Sequence, residues 1–400
     1  PRLLESHLQE VASEMADELN GVDQFTGFLT TFRESARARF EAGDEEDDRP
    51  LEEQFDTDLR ELDIGPIPAD TPSTILAEPR IILLTGCTGW LGSFVLAELL
   101  QQTKATVYCL VRAASPLEGR RRIESGLAKL GLLSLPLHRI VVFTGSLERD
   151  HLGLSMNDYN LLAHSVDAIW HNGARVDHVV SYAKLRASNV SGTAEVLKLA
   201  VDGKIKAVHF VSTYASLFCS TAAGAGLITE DSPLPGNDAM GTGSDPALVN
   251  GYSQSKWIAE LLVLQASAHG LPVTIHRPGR VLSSHLTGAC NTDDLMTRLI
   301  VGCVQLGSLP NMKGGGGEYG APVDAVAAAI VALGLEAHRS SSFGGTYHVF
   351  DREPTSYIAV FLALGIDYEL NILEADSWLS ALKDDAHNVA RPLLHELEEM

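Results

Sequence analysis

Four hundred residues, 45% of them hydrophobic and 20% charged, make a globular chain long enough for two or three cooperating units. A formal net charge of −22 argues against nucleic acid or an anionic membrane as a partner, since both need a basic face. No apolar run approaches the roughly 20 residues that cross a bilayer, and PRLLESHLQE lacks the basic and apolar regions of a secretory leader. Five cysteines scattered without CxxC spacing read as reduced thiols of a cytoplasmic protein, with neither disulfides nor a metal centre. The start at Pro1 and the abrupt end in HELEEM are those expected of a piece of a longer polypeptide, monomeric when excised.

Residues 1–77 read as a helical segment followed by an acidic linker. Leu4, Leu8, Val11, Met15 and Leu19 recur at spacings of three and four, which predicts an amphipathic helix over 3–19. Between Glu41 and Asp70 thirteen acids face two arginines, and prolines follow, so this stretch is either a solvated tether or a surface for a neighbouring domain.

From Arg80 short apolar runs alternate with helical stretches: IILLTG, TVYCLVR, RIVVFTG, DAIWHNGA, AVHFVSTYA and PVTIHRP. That alternation predicts an α/β chain, a Rossmann-like doubly wound parallel sheet over residues 78–283. Thr85-Gly86-x-x-Gly89-x-x-Gly92 follows the first strand and opens a helix. Glycines there let backbone approach a pyrophosphate at a helix N-terminus, although three glycines in seven residues also make a plain tight turn. The second strand ends in Arg112, where an NAD site commonly has an acid; a guanidinium fits a 2′-phosphate, which favours NADPH. Arg122, ten residues on, either adds a second charge or is an exposed helix arginine.

NGYSQSKWIAE places Tyr252 and Lys256 four apart on one helix face. An ammonium beside a phenol is expected to lower the tyrosine pKa towards neutrality and to let it exchange a proton with a carbonyl oxygen. Ser212 and Thr213 end a strand upstream. A hydroxyl there can hold the substrate oxygen alongside the phenol, or Thr213 can simply cap a helix. Beyond residue 283 the alternation is lost, so residues 284–400 are expected to form a smaller, mainly helical substrate subdomain over the carboxyl ends of the strands. Part of 321–350 is expected to return to the Rossmann core, and TYHVFD reads as one late strand-like piece.

TGCTGWLG, LVR, HNGA (171–174), NVSGT (189–193), VSTYA, YSQSK and HRPG (276–279) resemble the extended short-chain dehydrogenase/reductases. More closely, from residue 78 to beyond 330, the chain is similar to the terminal thioester reductase domains of nonribosomal peptide synthetases, polyketide synthases and carboxylic acid reductases. The resemblance implies release of an acyl or peptidyl thioester from a phosphopantetheinyl carrier protein, with NADPH as hydride source, to an aldehyde or onward to an alcohol. Tyr252 would give the proton, Lys256 tune it and anchor the ribose, and Thr213 orient the carbonyl. Thr85, Gly86, Thr88, Gly89, Trp90, Leu91 and Gly92 would line the pyrophosphate, and Arg112 with Arg122 the 2′-phosphate. Asn172, Gly173 and Ala174 would flank the ribose and nicotinamide side, with Ser212 beside them, and Pro278, Gly279 and Val281 would close the site. Relatives commonly read Gly-Asp-Leu after the third strand. Gly145-Ser146-Leu147 keeps the position near the adenine, with Ser146 and Leu147, but loses the acid. The resemblance leaves room for a fatty acyl-CoA reductase, a sugar-nucleotide epimerase or dehydratase, or a redox-inactive cyclising domain. The last is disfavoured by the presence of Tyr252.

Overall fold

The apolar runs become parallel strands: β1 (Ile81–Thr85), β2 (Thr106–Val111), β3 (Ile140–Thr144), β4 (Ala168–His171), β5 (Ala207–Val211) and β6 (Val273–Pro278), joined by β7 (Thr346–Val349). In this computed structural model, residues 49, 51–60, 67, 75–132, 134–177, 180–217, 228–232, 234, 250–311, 317–356, 360, 363 and 365–394 are described. The helix expected over 3–19 and most of residues 215–250 lie outside them.

The spatial order is β7-β6-β5-β4-β1-β2-β3, every neighbour parallel. The chain reverses its direction of travel across the sheet between β1 and β4, and at that switch point the carboxyl ends of the strands leave a crevice for ligands. Because all the strands run the same way, Thr85, Val111, His171, Val211 and Pro278 end on one edge.

Both faces of the sheet are covered, which is why the strands read as continuous apolar runs. Ile82 and Leu84 of β1 point into one layer, with Phe94, Leu96 and Ile330; Leu83 points into the other, with Tyr182, Leu197, Trp257 and Ile258. The first layer packs the helices Trp90–Gln102 and Val323–Ser340 side by side. The second holds Gly192–Val201 and the long helix Gly251–Ala268, whose start Asn250 caps by accepting the Ser253 N–H at 2.9 Å.

The chain divides into two compact units. The larger is Asp44–Cys290 with Tyr319–Arg352, so the helix Val323–Ser340 and β7 rejoin the sheet after an excursion. The smaller takes Asn291–Glu318 and Glu353–Met400. Its described part has helices Leu295–Leu306 and Ala375–Asp384 and two short strand pairs, Ser308–Pro310 with Asn371–Leu373 and Gly317–Glu318 with Thr355–Ser356. Leu299, Cys303, Leu309, Trp378 and Leu382 form its core, and the Trp378 indole donates to the Ser308 carbonyl at 3.0 Å.

The acidic run is more than a tether. Within it, Leu51–Arg60 forms a helix of the larger unit that buries one face. Phe55 is fully buried, edge-on to Tyr182 at 4.7 Å and to Trp257 at 5.6 Å. Buried Asp58 accepts Arg186 Nε at 2.6 Å and the Tyr182 hydroxyl. Phe55→Ala is expected to cost about 3–5 kcal/mol in urea denaturation, the range for emptying a buried aromatic site. A cost below about 1 kcal/mol, typical of surface changes, would mean that the helix is not docked in solution.

Candidate active site

The glycine turn after β1 is tight enough to admit only backbone. Gly86 has φ of 76°, a left-handed conformation that favours glycine, and a Cβ there would stand 2.7 Å from Gly173 Cα. A Cβ on Gly92 would fall 2.0 Å from the Gly86 carbonyl oxygen and 2.7 Å from Asn172 Nδ2. The turn closes through Gly89 N–H donating to the Gly86 carbonyl at 3.0 Å. Gly89 then begins the helix Trp90–Gln102 with no side-chain cap, so the first-turn amides of Trp90, Leu91 and Gly92 have neither a helical partner nor a capping side chain. Uncapped amides at the positive end of a helix dipole suit a pyrophosphate.

Beside the turn, Thr88 lines a cavity of about 380 Å³ with Glu118, Arg121, Arg122, Ser125, Gly126 and Lys129. Arg122 donates to the carbonyl of Arg112. Arg112 directly follows β2 with a side chain 73% exposed, 3.7 Å from Glu148. Arg121 and Lys129 are cations that sequence reasoning passed over. The GRRRI run and the spacing of Arg122, Ser125, Gly126 and Lys129 on one helix face were the signal.

His171 ends β4 at the switch point, and Asn172, Gly173 and Ala174 follow it. Gly173 N–H donates to Thr85 Oγ1 at 2.9 Å, Thr85 Oγ1 meets His171 Nδ1 at 2.8 Å, and His171 Nε2 meets Thr193 Oγ1 at 3.0 Å. Thr193 spends its proton on the Asn189 carbonyl at 2.6 Å, so it accepts from His171 Nε2–H; with the buried ring neutral, Nδ1 is bare and accepts from the Thr85 hydroxyl. Burial, helped by the nearby Lys256 charge, pushes the imidazole down to about 3, so it is neutral and these bonds select one tautomer. Asn189 carries the chain on, donating to Ser255 Oγ at 2.9 Å, and Ser255 donates to the Tyr252 carbonyl at 2.8 Å. A hydrogen-bonded path thus joins the glycine turn to the tyrosine helix. Leu147 packs on Gly173, where a Cβ would stand 2.8 Å from its Cδ1, whereas Ser146 bonds locally, its N–H to the Leu152 carbonyl at 2.7 Å.

Tyr252 and Lys256 lie on Gly251–Ala268, both buried. Lys256 Nζ donates to the Val211 carbonyl at 2.8 Å and stands 4.1 Å above the Phe210 ring. Burial brings the lysine down to about 7, opposed by Glu260, while burial raises the Tyr252 phenol to about 12. The tyrosine shift is opposite in sign to the sequence-based expectation, because desolvation of the buried phenol disfavours its charged form. Thr213 is buried just past β5, its hydroxyl accepting the Ala215 N–H at 3.3 Å. Ser212, expected on the cofactor side, gives its hydroxyl to Glu260 instead. Glu260 and its partner Arg277 were missed; the glutamate's place four residues after Lys256 was the available sign.

Pro278 ends β6. Gly279 follows so close to the next segment that a Cβ would lie 2.2 Å from the Tyr319 carbonyl oxygen. Val281, in the short strand Arg280–Leu282, pairs with Ala321. Among the described residues no group of three His, Cys, Asp or Glu side chains has metal-site geometry, and no helix is long and apolar enough to cross a membrane.

A switch-point turn open to a nicotinamide dinucleotide, on the same sheet edge as a buried tyrosine–lysine helix, is the arrangement of an extended short-chain dehydrogenase/reductase. The chain belongs to the Male sterility protein family, which it matches over residues 84–330, and within that family it is a reductase domain. It is 39% identical over 306 residues to a component of the linear gramicidin synthase of Brevibacillus parabrevis, covering 76% of this chain and 6% of that protein. It is 36% identical over 339 residues to the large subunit of the L-2-aminoadipate reductase of Eremothecium gossypii, covering 81% of this chain and 24% of that one. The chain thus spans under a third of these curated relatives. Among solved structures, the terminal R domain of the myxalamid PKS-NRPS pathway superposes with a TM-score of 0.74 at 37% identity, covering 88% of this chain and 86% of that one.

Proposed function

We propose that this domain reductively releases an acyl or peptidyl thioester from a phosphopantetheinyl carrier protein, using NADPH and giving an aldehyde. The observation that carries the reading is the meeting, at one sheet edge, of the uncapped glycine turn, the Tyr252/Lys256 helix and the Thr213 corner. NADPH, when bound, supplies the hydride. Gly86, Gly89, Trp90, Leu91 and Gly92 hold the pyrophosphate with backbone amides, and Asn172, Gly173 and Ala174 bound the ribose side. Thr213 and Tyr252 hold the thioester oxygen. With burial keeping the phenol protonated at neutral pH, Tyr252 is loaded to give that oxygen a proton as the carbonyl carbon is reduced. The resulting hemithioacetal then breaks its C–S bond, leaving aldehyde and thiol, the proton of the hemithioacetal hydroxyl passing to sulfur.

The preference for NADPH over NADH rests on Arg121, Arg122 and Lys129, which line the cavity, and on Arg112 after β2, whose carbonyl Arg122 holds. Arg112→Ala is expected to raise the NADPH KM about tenfold or more while leaving the NADH KM within about twofold, since a charge-assisted contact to the 2′-phosphate is lost in only one of them. Equal changes in both would refute the assignment.

Product analysis with NADPH and acyl-pantetheine thioesters tests the whole reading: aldehyde with stoichiometric NADPH consumption supports it. Free acyl-CoA esters outperforming pantetheine-bound acyl groups would favour an acyl-CoA reductase.

A further inference from the structure

Behind the tyrosine helix lies a buried charge pair with no part in the chemistry described above. Glu260 stands one helical turn beyond Lys256 and is fully buried; its partner Arg277, on β6, is 2% exposed. Glu260 Oε1 accepts Arg277 Nε at 2.8 Å and Nη2 at 2.6 Å. Oε2 accepts the hydroxyls of Ser212 and Ser216, the latter at 3.2 Å. Three full donors and a share of a fourth, since Ser216 divides its one proton between Glu260 and the Thr213 carbonyl, reach one carboxylate, and they come from three places: β6, the residue after β5, and the 3-10 turn Tyr214–Leu217. Thr213 lies between the two gripped serines. Its own carbonyl accepts the Ser216 hydroxyl at 2.7 Å, and the preceding Val211 carbonyl accepts Lys256 Nζ. The corner that bears Thr213 is therefore fastened on both sides to the helix that bears Tyr252 and Lys256.

We propose that Glu260 is a positioning residue of the reductase: by gripping Ser212 and Ser216 from the tyrosine helix, it sets where the Thr213 hydroxyl stands relative to the phenol. This rests on the roles given above to Thr213 and Tyr252. Oxygen-holding groups misplaced by about 1 Å can cost about a hundredfold in rate, so a rigid tie at this corner has a kinetic consequence beyond stability. Glu260 also acts on its neighbour by charge, holding the Lys256 proton more tightly against burial. The other ionisable groups facing this cluster are Tyr252 on the same helix, Arg277 on β6, His171 on β4, which feels Lys256, and His348 on β7. His348 Nε2 accepts Arg277 Nη1 at 3.3 Å, and its backbone N–H donates to Glu230 at 2.7 Å.

Removing Glu260 alone would strand a buried guanidinium, a cost of several kcal/mol that can unfold the protein. The deciding variant is therefore S212A/S216A, which leaves the ion pair whole. It is expected to melt within about 5 °C of wild type, to bind NADPH within about twofold by cofactor fluorescence, and to lose about 10- to 100-fold in single-turnover kcat on an acyl-pantetheine thioester. E260Q/R277M, which removes both charges together, is expected to move the alkaline limb of kcat, where Lys256 loses its proton, to lower pH. S212A/S216A at wild-type kcat overturns the proposal, as does a kcat loss matched by an equal loss of NADPH affinity, which would make Ser212 a cofactor contact. An unmoved alkaline limb in a folded E260Q/R277M also counts against it; if that protein does not fold, S212A/S216A decides alone. A wild-type chain that binds NADPH but reduces no thioester overturns the function reading and this inference with it. An active wild type beside an unimpaired S212A/S216A overturns this inference only.

Discussion

Replacing Tyr252 by phenylalanine is expected to leave NADPH affinity within about twofold of wild type while lowering turnover by about 10²- to 10⁴-fold, the usual worth of a positioned acid. The ring stays and its packing with it; only the hydroxyl goes. Burial raises the phenol to about 12, so the group that would deliver the proton is protonated throughout the neutral range. Stopped-flow NADPH oxidation together with a separate binding titration separates the two effects. A Tyr252→Phe protein that turns over at the wild-type rate would remove Tyr252 as the donor.

Gly92→Ala is expected to weaken NADPH binding by about 10- to 100-fold, the affinity equivalent of about 1–3 kcal/mol of overpacking. The new methyl would lie 2.0 Å from the Gly86 carbonyl oxygen, which is backbone and can yield only by opening the turn. Gly89→Ala should be milder, because the nearest atom to its Cβ, the same oxygen, is 3.4 Å away. Isothermal titration of the two variants against wild type checks the order; equal affinities for all three would place the pyrophosphate elsewhere.

The sheet was legible because its strands announce themselves. IILLT, TVYCLV, AIWH, AVHFV and VTIHRP are apolar runs suited to burial on both faces, and IILLT and TVYCLV each lead into a helix. The glycine turn was legible for a related reason: its close backbone contacts demand glycine at fixed spacing. What failed to show were interactions between residues far apart in the chain. Glu260 reads as one more helix carboxylate until Arg277 of β6 and the serines after β5 close around it. Ser212 looks available until that carboxylate takes its hydroxyl. The electrostatics of Tyr252 and Lys256 could not be read from their spacing either, since spacing reports proximity and says nothing of desolvation. The Leu51–Arg60 helix hid behind its acidic composition. Phe55 and Asp58 are single residues in a run of carboxylates, and only Tyr182, Trp257 and Arg186 give them something to bury against.

That docked helix also fixes the pivot for anything joined ahead of it. Were the acidic run a free tether up to the sheet, a domain upstream would swing from about residue 77. With Phe55 and Asp58 anchored, residues 51–77, about 27 of them, no longer contribute to its reach. At about 3.5 Å per extended residue, that removes about 90 Å of maximum span. A shorter leash confines the tethered partner to a smaller volume and raises its effective concentration at the reductase, provided the remaining chain still reaches.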